Sequence, residues 1–392
     1  MFISKEVLGY VDYYKDSDIS RDEFLSNFEE DDDRKYMKQT IMNMEKIGYF
    51  EKCNIKKSER GMEALDTVYF MLTQKCNLKC KHCSTSCSPE VEDALDLEQA
   101  KIIIDNINKI GVKSIIFSGG EPMIYSYFYD IITYAKKVLT GVEFILSTNG
   151  TLVREDNVRF LVDNFDAIEM SLDGIDEISC NRIRGKGVFG KVIDSVKLLQ
   201  ESGFYNIGLS TVTGSKQNDY IKAFNLLNEK LKTRSVVRFL DPVGRATENI
   251  SKFYSEKTNL PISIADIYLD TSLESRKVSS CSCIAYESVI YIDYHGNIYP
   301  CPTLYKDEYC IMNINDKKFS KELLFEKILL RREEFQNILD FEGTICEYCD
   351  INIFCWNCPE HFLRAKEAGE ISIWCEKMKN NISRIVWKQI GK

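Results

Sequence analysis

The chain has 392 residues, 44% of them hydrophobic and 28% charged, with a net charge of −9 and a pI near 5.2. That acidic balance offers no general basic field for nucleic acid, and no run of about 18 apolar residues marks a membrane span. The opening Met1 to Tyr14 carries Lys5, Glu6 and Asp12 and has no long apolar core, so a secretory signal is not expected and a cytoplasmic protein with reduced thiols is.

Two helical signals come first, Arg21 to Phe28 and Asp32 to Ile47, the second with the acidic run Glu29 to Asp33 at its N-terminus, where the helix dipole favours negative charge. The polar stretch Lys56 to Glu63 reads as a linker. From Asp66, short β-rich runs alternate with amphipathic helices. Strands are predicted at Thr67 to Leu72, Ser114 to Phe117, Val142 to Ser147, Ala167 to Leu172, Asn206 to Val212 and Val236 to Leu240. Six such alternations imply a parallel α/β sheet with right-handed crossovers, and in parallel barrels the chemistry sits beyond the C-terminal strand ends.

Directly after the first strand stand Cys76, Cys80 and Cys83, spaced CxxxCxxC. Three thiolates on one short loop can hold three irons of a [4Fe-4S] cube and leave the fourth without a protein ligand. A tetrahedral zinc completed by Cys87 or His82 is the alternative. Gly119, Gly120, Glu121 and Pro122 end the second strand, Ser147 to Gly150 the third, and Ser171 to Gly174 the fourth; Arg184 follows in the next helix-rich segment. Hydroxyl, amide and carboxylate groups at such ends suit ribose hydroxyls and amino-acid groups, and an Arg suits a carboxylate. Thr211 to Thr213, and Leu240, Pro242, Gly244 and Arg245, end the fifth and sixth strands.

After a predicted helix at Ile262 to Leu273 the composition turns cysteine-rich. Of fifteen cysteines, all but Cys53 and Cys180 fall between Cys76 and Cys87 or between Cys281 and Cys375. In a reducing compartment that clustering reads as metal ligation rather than disulfides. Ser288 to Tyr294 and the turn at His295 to Asn297 read as a hairpin presenting Cys283 and Cys301 together, and Ile371 to Ile390 as a closing amphipathic helix with Ile373 and Met378 on its apolar face.

The pairing of CxxxCxxC with Gly119-Gly120-Glu121-Pro122 resembles the radical S-adenosylmethionine (SAM) superfamily, and the C-terminal cysteines resemble its SPASM subgroup. The resemblance implies a partial (β/α)6 barrel at 66–275, a SPASM domain with two auxiliary [4Fe-4S] clusters at 276–392, and a small winged-helix-like unit at 1–58 that reads a leader peptide. It implies Cys76, Cys80 and Cys83 as ligands of the SAM-binding cluster. Gly119, Gly120, Glu121, Pro122, Ser147, Asn149, Ser171, Asp173 and Arg184 are its implied SAM contacts. It gives one auxiliary cluster to Cys283, Cys301 and Cys358 with Cys281 or Cys310, and the other to Cys346, Cys349, Cys355 and Cys375. No catalytic base is implied.

The expected activity is reductive SAM cleavage and oxidative modification of a ribosomally made precursor peptide, with a cysteine thioether as the favoured product and reduced flavodoxin or ferredoxin as electron donor. Carbon-carbon crosslinking, epimerisation and sulfatase maturation are the alternatives. Pro302 stands where the sulfatase branch usually has an Asp after its cysteine, which counts against the last. A zinc-stapled peptide-binding protein is the alternative outside enzymes.

Overall fold

The computed structural model describes residues 4–46, 49–50, 64–214, 218–250, 283–338, 346, 349 and 358–388. The expected linker, the helix at 262–273, Cys53, Cys281 and Cys355 lie outside the described residues. The chain divides into two compact units, Met1–Gly61 with Lys379–Lys392, and Met62–Met378.

The described N-terminal part of the first unit holds three helices and no strand: α1 (Lys5–Asp16), α2 (Arg21–Ser26) and α3 (Asp31–Lys46). Ser4 and Ser20 cap α1 and α2 by accepting from the Val7 and Glu23 amides, and Asp31, Asp32 and Asp33 fill the first turn of α3. Val11, Phe24, Leu25, Met37, Ile41 and Met44 form the core between them. Helices α2 and α3 lie where the sequence places them. α1 was not anticipated, because Tyr10 and Tyr13 on it are exposed and blur its helical period.

The second unit is built on one nine-stranded sheet in the order β6-β5-β4-β3-β2-β1-β7-β8-β9. Its first six strands are β1 (Thr67–Met71), β2 (Ser114–Ser118), β3 (Glu143–Thr148), β4 (Ala167–Ser171), β5 (Ile207–Thr213) and β6 (Arg234–Phe239), all parallel and each near its predicted position. Helices α4 (Leu97–Ile110), α5 (Phe128–Val138), α6 (Val158–Asn164), α7 (Glu177–Ile183), α8 (Val188–Glu201) and α9 (Asn218–Leu231) make the crossovers. Among the described residues the sheet stays open, with β6 and β9 at its edges. Strand β7 (Val289–Ile292) joins parallel to the free side of β1, and β8 (Asn297–Tyr299) and β9 (Met312–Asn313) extend it antiparallel. The expected hairpin is therefore part of the main sheet, and β1 lies between β2 and β7 rather than at an edge.

Side chains alternate across each strand. Val68, Phe70, Ile115, Phe117, Phe144, Leu146, Ile168 and Met170 point to one face and are buried with Ile103, Ile104 and Ile107 of α4. Tyr69, Ile116, Ile145, Ser147 and Glu169 alternate with them and stay half-buried. On that second face Glu169 accepts from Arg234 (3.3 Å) and Arg238 (2.9 Å). One sheet face is thus core, and the other is half-buried and partly polar.

The closing helix runs Ile371–Lys388, and among its described side chains Trp374 and Met378 are buried while Ile373 is exposed. Its inward stripe is therefore set by Trp374, which stacks edge-on to Phe362 at 6.3 Å, and not by Ile373 as the periodicity suggested. No helix among the described residues is long and apolar enough to cross a membrane.

Phe117 is fully buried, its ring centroid 5.4 Å from Phe144, 6.2 Å from Phe165 and 6.4 Å from Phe70. Phe117→Ala is expected to lower stability by about 3–5 kcal/mol, read from the denaturant midpoint, whereas a shift below about 1 kcal/mol would mean that this face is not packed as described.

Candidate active site

The cysteine loop leaves the C-terminal end of β1 and is anchored by backbone contacts from its neighbours. Gly120 N donates to Thr73 O (2.8 Å) and Glu121 N to Lys75 O (3.0 Å). These bonds need the β2 end to lie against the loop without side chains. A Cβ at Gly119 would stand 2.6 Å from Thr73 O, and one at Gly120 2.3 Å from Lys75 O. Farther along, Cys76 N donates to Ser88 O and Lys81 N to Ile183 O, both at 3.0 Å. Beyond β6, Gly244 presses on the same loop with φ +55°, where a Cβ would lie 2.3 Å from Ser84 O. Arg245 then gives its amide to Cys83 O (3.0 Å) and its guanidinium to Cys80 O (3.0 Å) and Cys87 O (2.5 Å).

Cys76 and Cys80 are buried and Cys83 half-buried. Burial pushes the Cys76 thiol up to about 12 and raises that of Cys80, against the Arg184 charge. Cys83 goes the other way, to about 5: the Cys87 side chain outweighs burial, helped by the Thr85 hydroxyl, the Cys87 amide and Arg245. A thiolate is the form that ligates metal. Ligands on one tetrahedral zinc, with Zn–S about 2.3 Å, lie about 4 Å apart. Among the described residues, no group of three ligand atoms from this loop falls within 4.8 Å. Three thiol side chains on one loop, each able to take one iron, are the donor set that a [4Fe-4S] cluster with an open iron requires.

Around the loop, the strand ends carry one polar network. Glu121 is fully buried. Its Oε1 accepts from Thr148 Oγ1 (2.7 Å) and the Met123 amide (3.2 Å), and its Oε2 from the Asn149 amide (2.7 Å). Burial raises its carboxyl against those donors. Pro122 starts the short 3-10 turn Pro122–Ile124. Asn149 donates to Asn77 Oδ1 (2.7 Å) and reaches Cys76 Sγ at 3.9 Å. Ser147 lies on the open face of β3 and Ser171 on that of β4, each half-buried.

Asp173, just past β4, is the most heavily used acceptor in the site. Its Oδ2 takes Arg184 Nε (2.6 Å) and His82 Nε2 (2.9 Å), and its Oδ1 takes the Val212 amide (2.6 Å) and Thr211 Oγ1 (3.3 Å). Burial alone would raise this carboxyl, but Arg184 and His82 overcome it and hold it well below the usual range. It therefore stays ionised at every pH above the ordinary carboxylate range. Arg184 is buried too and approaches Cys80 Sγ at 3.8 Å. The sequence reading gives Arg184 and Asp173 as ligand contacts, and in the structure the two also pair with each other. Two pairings have no local signal in the sequence: His82, the alternative zinc ligand, bonds Asp173, and Arg245 serves three loop carbonyls.

Among the C-terminal cysteines, Cys283, Cys301 and Cys358 lie near one another. Cys283 precedes β7, Cys301 follows β8, and Cys358 caps the helix Pro359–Glu367. Burial raises the Cys283 thiol and pushes that of Cys358 up to about 12, and the charge of Cys301 reaches both. That charge also reaches Tyr69 on the open sheet face. Cys310 follows a short 3-10 turn, with no cysteine among the charges that act on it. Cys349 N donates to Cys346 O (3.2 Å), and Cys375 is half-buried on the closing helix.

Residues 70–226 match the radical SAM superfamily. The chain is 29% identical over 195 residues to the mycofactocin maturase MftC of Mycolicibacterium smegmatis, which spans 50% of this chain and 49% of that protein. It is 33% identical over 190 residues to the Fe-coproporphyrin III synthase of Methanosarcina barkeri, 47% of this chain and 46% of that one. With the AdoMet-dependent heme synthase of Oleidesulfovibrio alaskensis it shares 26% over 335 residues, 76% and 84% of the two chains. The chain thus spans about half the length of the first two relatives. In fold it is similar to Streptococcus suis SuiB bound to S-adenosylmethionine (TM-score 0.58, 16% identity, 92% of this chain and 84% of that one). It is also similar to native anSMEcpe with bound AdoMet (TM-score 0.54, 20% identity, 79% and 99%). The segment that carries the cysteine loop and the two-glycine contact, residues 70–226, is thus the one that matches the radical SAM superfamily.

Proposed function

We propose that this chain is a radical SAM enzyme that oxidatively modifies a ribosomally made precursor peptide. The observation that carries the reading is the cysteine loop itself, held at the ends of parallel strands by the Gly120 and Arg245 backbone contacts and flanked by Asn149 and Arg184. In this reading Cys76, Cys80 and Cys83 ligate a [4Fe-4S] cluster. SAM lies against Gly119, Gly120, Glu121 and Pro122, and against the strand ends at Ser147, Asn149, Ser171, Asp173 and Arg184. When bound, the reduced cluster and SAM supply a 5′-deoxyadenosyl radical for hydrogen abstraction.

The chain's own residues position and exclude. Glu121 fixes the Asn149 end of β3 from within the core. Asp173 ties His82 of the cysteine loop to Arg184, so the Arg184 guanidinium faces Cys80 Sγ without rotamer freedom. Tyr69, Glu169 and Arg238 would line the face on which substrate lies, and the effect of Cys301 on Tyr69 supports a first auxiliary cluster near it. We assign Cys283, Cys301 and Cys358, with Cys281 or Cys310, to one auxiliary cluster and Cys346, Cys349, Cys355 and Cys375 to another. Both would take up the electron released when substrate is oxidised. A Cys thioether is the product this reading favours. Residues 1–58 would read the peptide leader, 66–275 form the radical domain and 276–392 the SPASM domain. Reduced flavodoxin or ferredoxin is the proposed electron donor.

A second reading keeps the same chemistry and replaces the peptide by a tetrapyrrole. It is favoured by the similarity to an AdoMet-dependent heme synthase over 84% of that protein's length. Assays with precursor peptides and with iron-coproporphyrin separate the two.

Two measurements test the proposal. After anaerobic reconstitution, iron analysis should give about 12 irons per chain, and the Cys76, Cys80, Cys83 triple alanine variant should lose about four; zinc with little iron would overturn the reading. Asp173→Asn should keep its iron yet slow 5′-deoxyadenosine formation about 10- to 100-fold, and an unchanged rate would remove Asp173 from the machinery.

A further inference from the structure

Outside the cysteine sets and the proposed SAM pocket, one more group of ligand-type side chains converges. Asp241 lies two residues beyond β6, and Glu360 and His361 lie in the first turn of the helix Pro359–Glu367. One carboxylate oxygen from each acid and one imidazole nitrogen all fall within 4.8 Å of one another. Glu360 is 2% exposed. Its Oε1 is bonded by the Arg364 guanidinium, and its Oε2 is buried with no hydrogen-bond partner. A buried carboxylate oxygen without a donor is unfavourable, and the nearby Asp241 charge adds repulsion. Two carboxylates and an imidazole converging on one point form a donor set that a metal cation can use.

We propose that Asp241, Glu360 and His361 bind a divalent transition-metal ion that staples the end of β6 to the helix following Cys358. The imidazole nitrogen selects manganese, iron or zinc over magnesium or calcium, and the absence of a thiolate from the trio sets the site apart from the cysteine sets. Strand β6 is an open edge of the sheet. Tying it to the helix would hold the Arg234 and Arg238 side of the open face in place.

The test uses the full chain with its clusters reconstituted anaerobically and then freed of loose metal. Mn²⁺ is the probe because it is too hard to compete for thiolates, and its free aqueous form gives a six-line electron paramagnetic resonance signal that disappears on binding. The expected result is about one Mn²⁺ bound per chain, displaced by Zn²⁺, with Asp241→Asn and His361→Gln each weakening binding about 10-fold or more. Variants are compared at wild-type iron content and far-ultraviolet circular dichroism. The two substitutions sit on separate elements, so a folding failure in one leaves the other to decide. No binding, or equal Mn²⁺ affinity in wild type and a folded variant, overturns the proposal.

Discussion

The site depends on one close backbone approach. Because Gly119 and Gly120 carry no side chains, the end of β2 reaches the segment Thr73–Lys75 and hydrogen-bonds to it, which sets where the chain turns into its cysteine loop. The next residue, Glu121, is buried and fixes the end of β3. Asp173 at the end of β4 joins β5 through the Val212 amide and the loop through His82 and Arg184. Arg245, past β6, returns to three carbonyls of the loop. Each strand end from β2 to β6 thus contributes to a loop that would otherwise be a flexible, thiol-rich segment.

The burial of these charges constrains what they can do. Asp173 and Arg184 are both removed from water, so either without the other would be an uncompensated buried charge. Their pairing favours a fixed geometry beside Cys80 over a mobile carboxylate-binding arm. Glu121 acts at one remove: its oxygens are occupied by β3, and its service to a ligand is through the backbone it holds.

The six parallel strands were legible because each is a short β-rich run between helices of strong amphipathic period, and the motifs fall at strand ends where a parallel sheet puts them. Strand β7 was legible as half of a hairpin, but its parallel pairing with β1 joins residues more than two hundred apart, which no local pattern encodes. Individual partners were harder to read. Arg245 reads in the sequence only as a residue past the sixth strand, and it binds loop carbonyls, since a guanidinium suits a backbone oxygen as well as a carboxylate. Asp241, Glu360 and His361 come together only in three dimensions. α1 escaped because its rings cover one another at the surface: Tyr10 lies 5.5 Å from Phe28 and Tyr13 6.5 Å from Phe24.

The account turns on a cluster iron left open beside these strand ends. The most direct measurement is the electron paramagnetic resonance spectrum of the reduced, reconstituted protein with and without SAM, in wild type and in Cys76→Ala. SAM should shift one cluster signal in the wild type, and Cys76→Ala should lose the SAM-responsive signal while keeping the others. A fully iron-loaded wild type whose spectrum is indifferent to SAM would contradict the account.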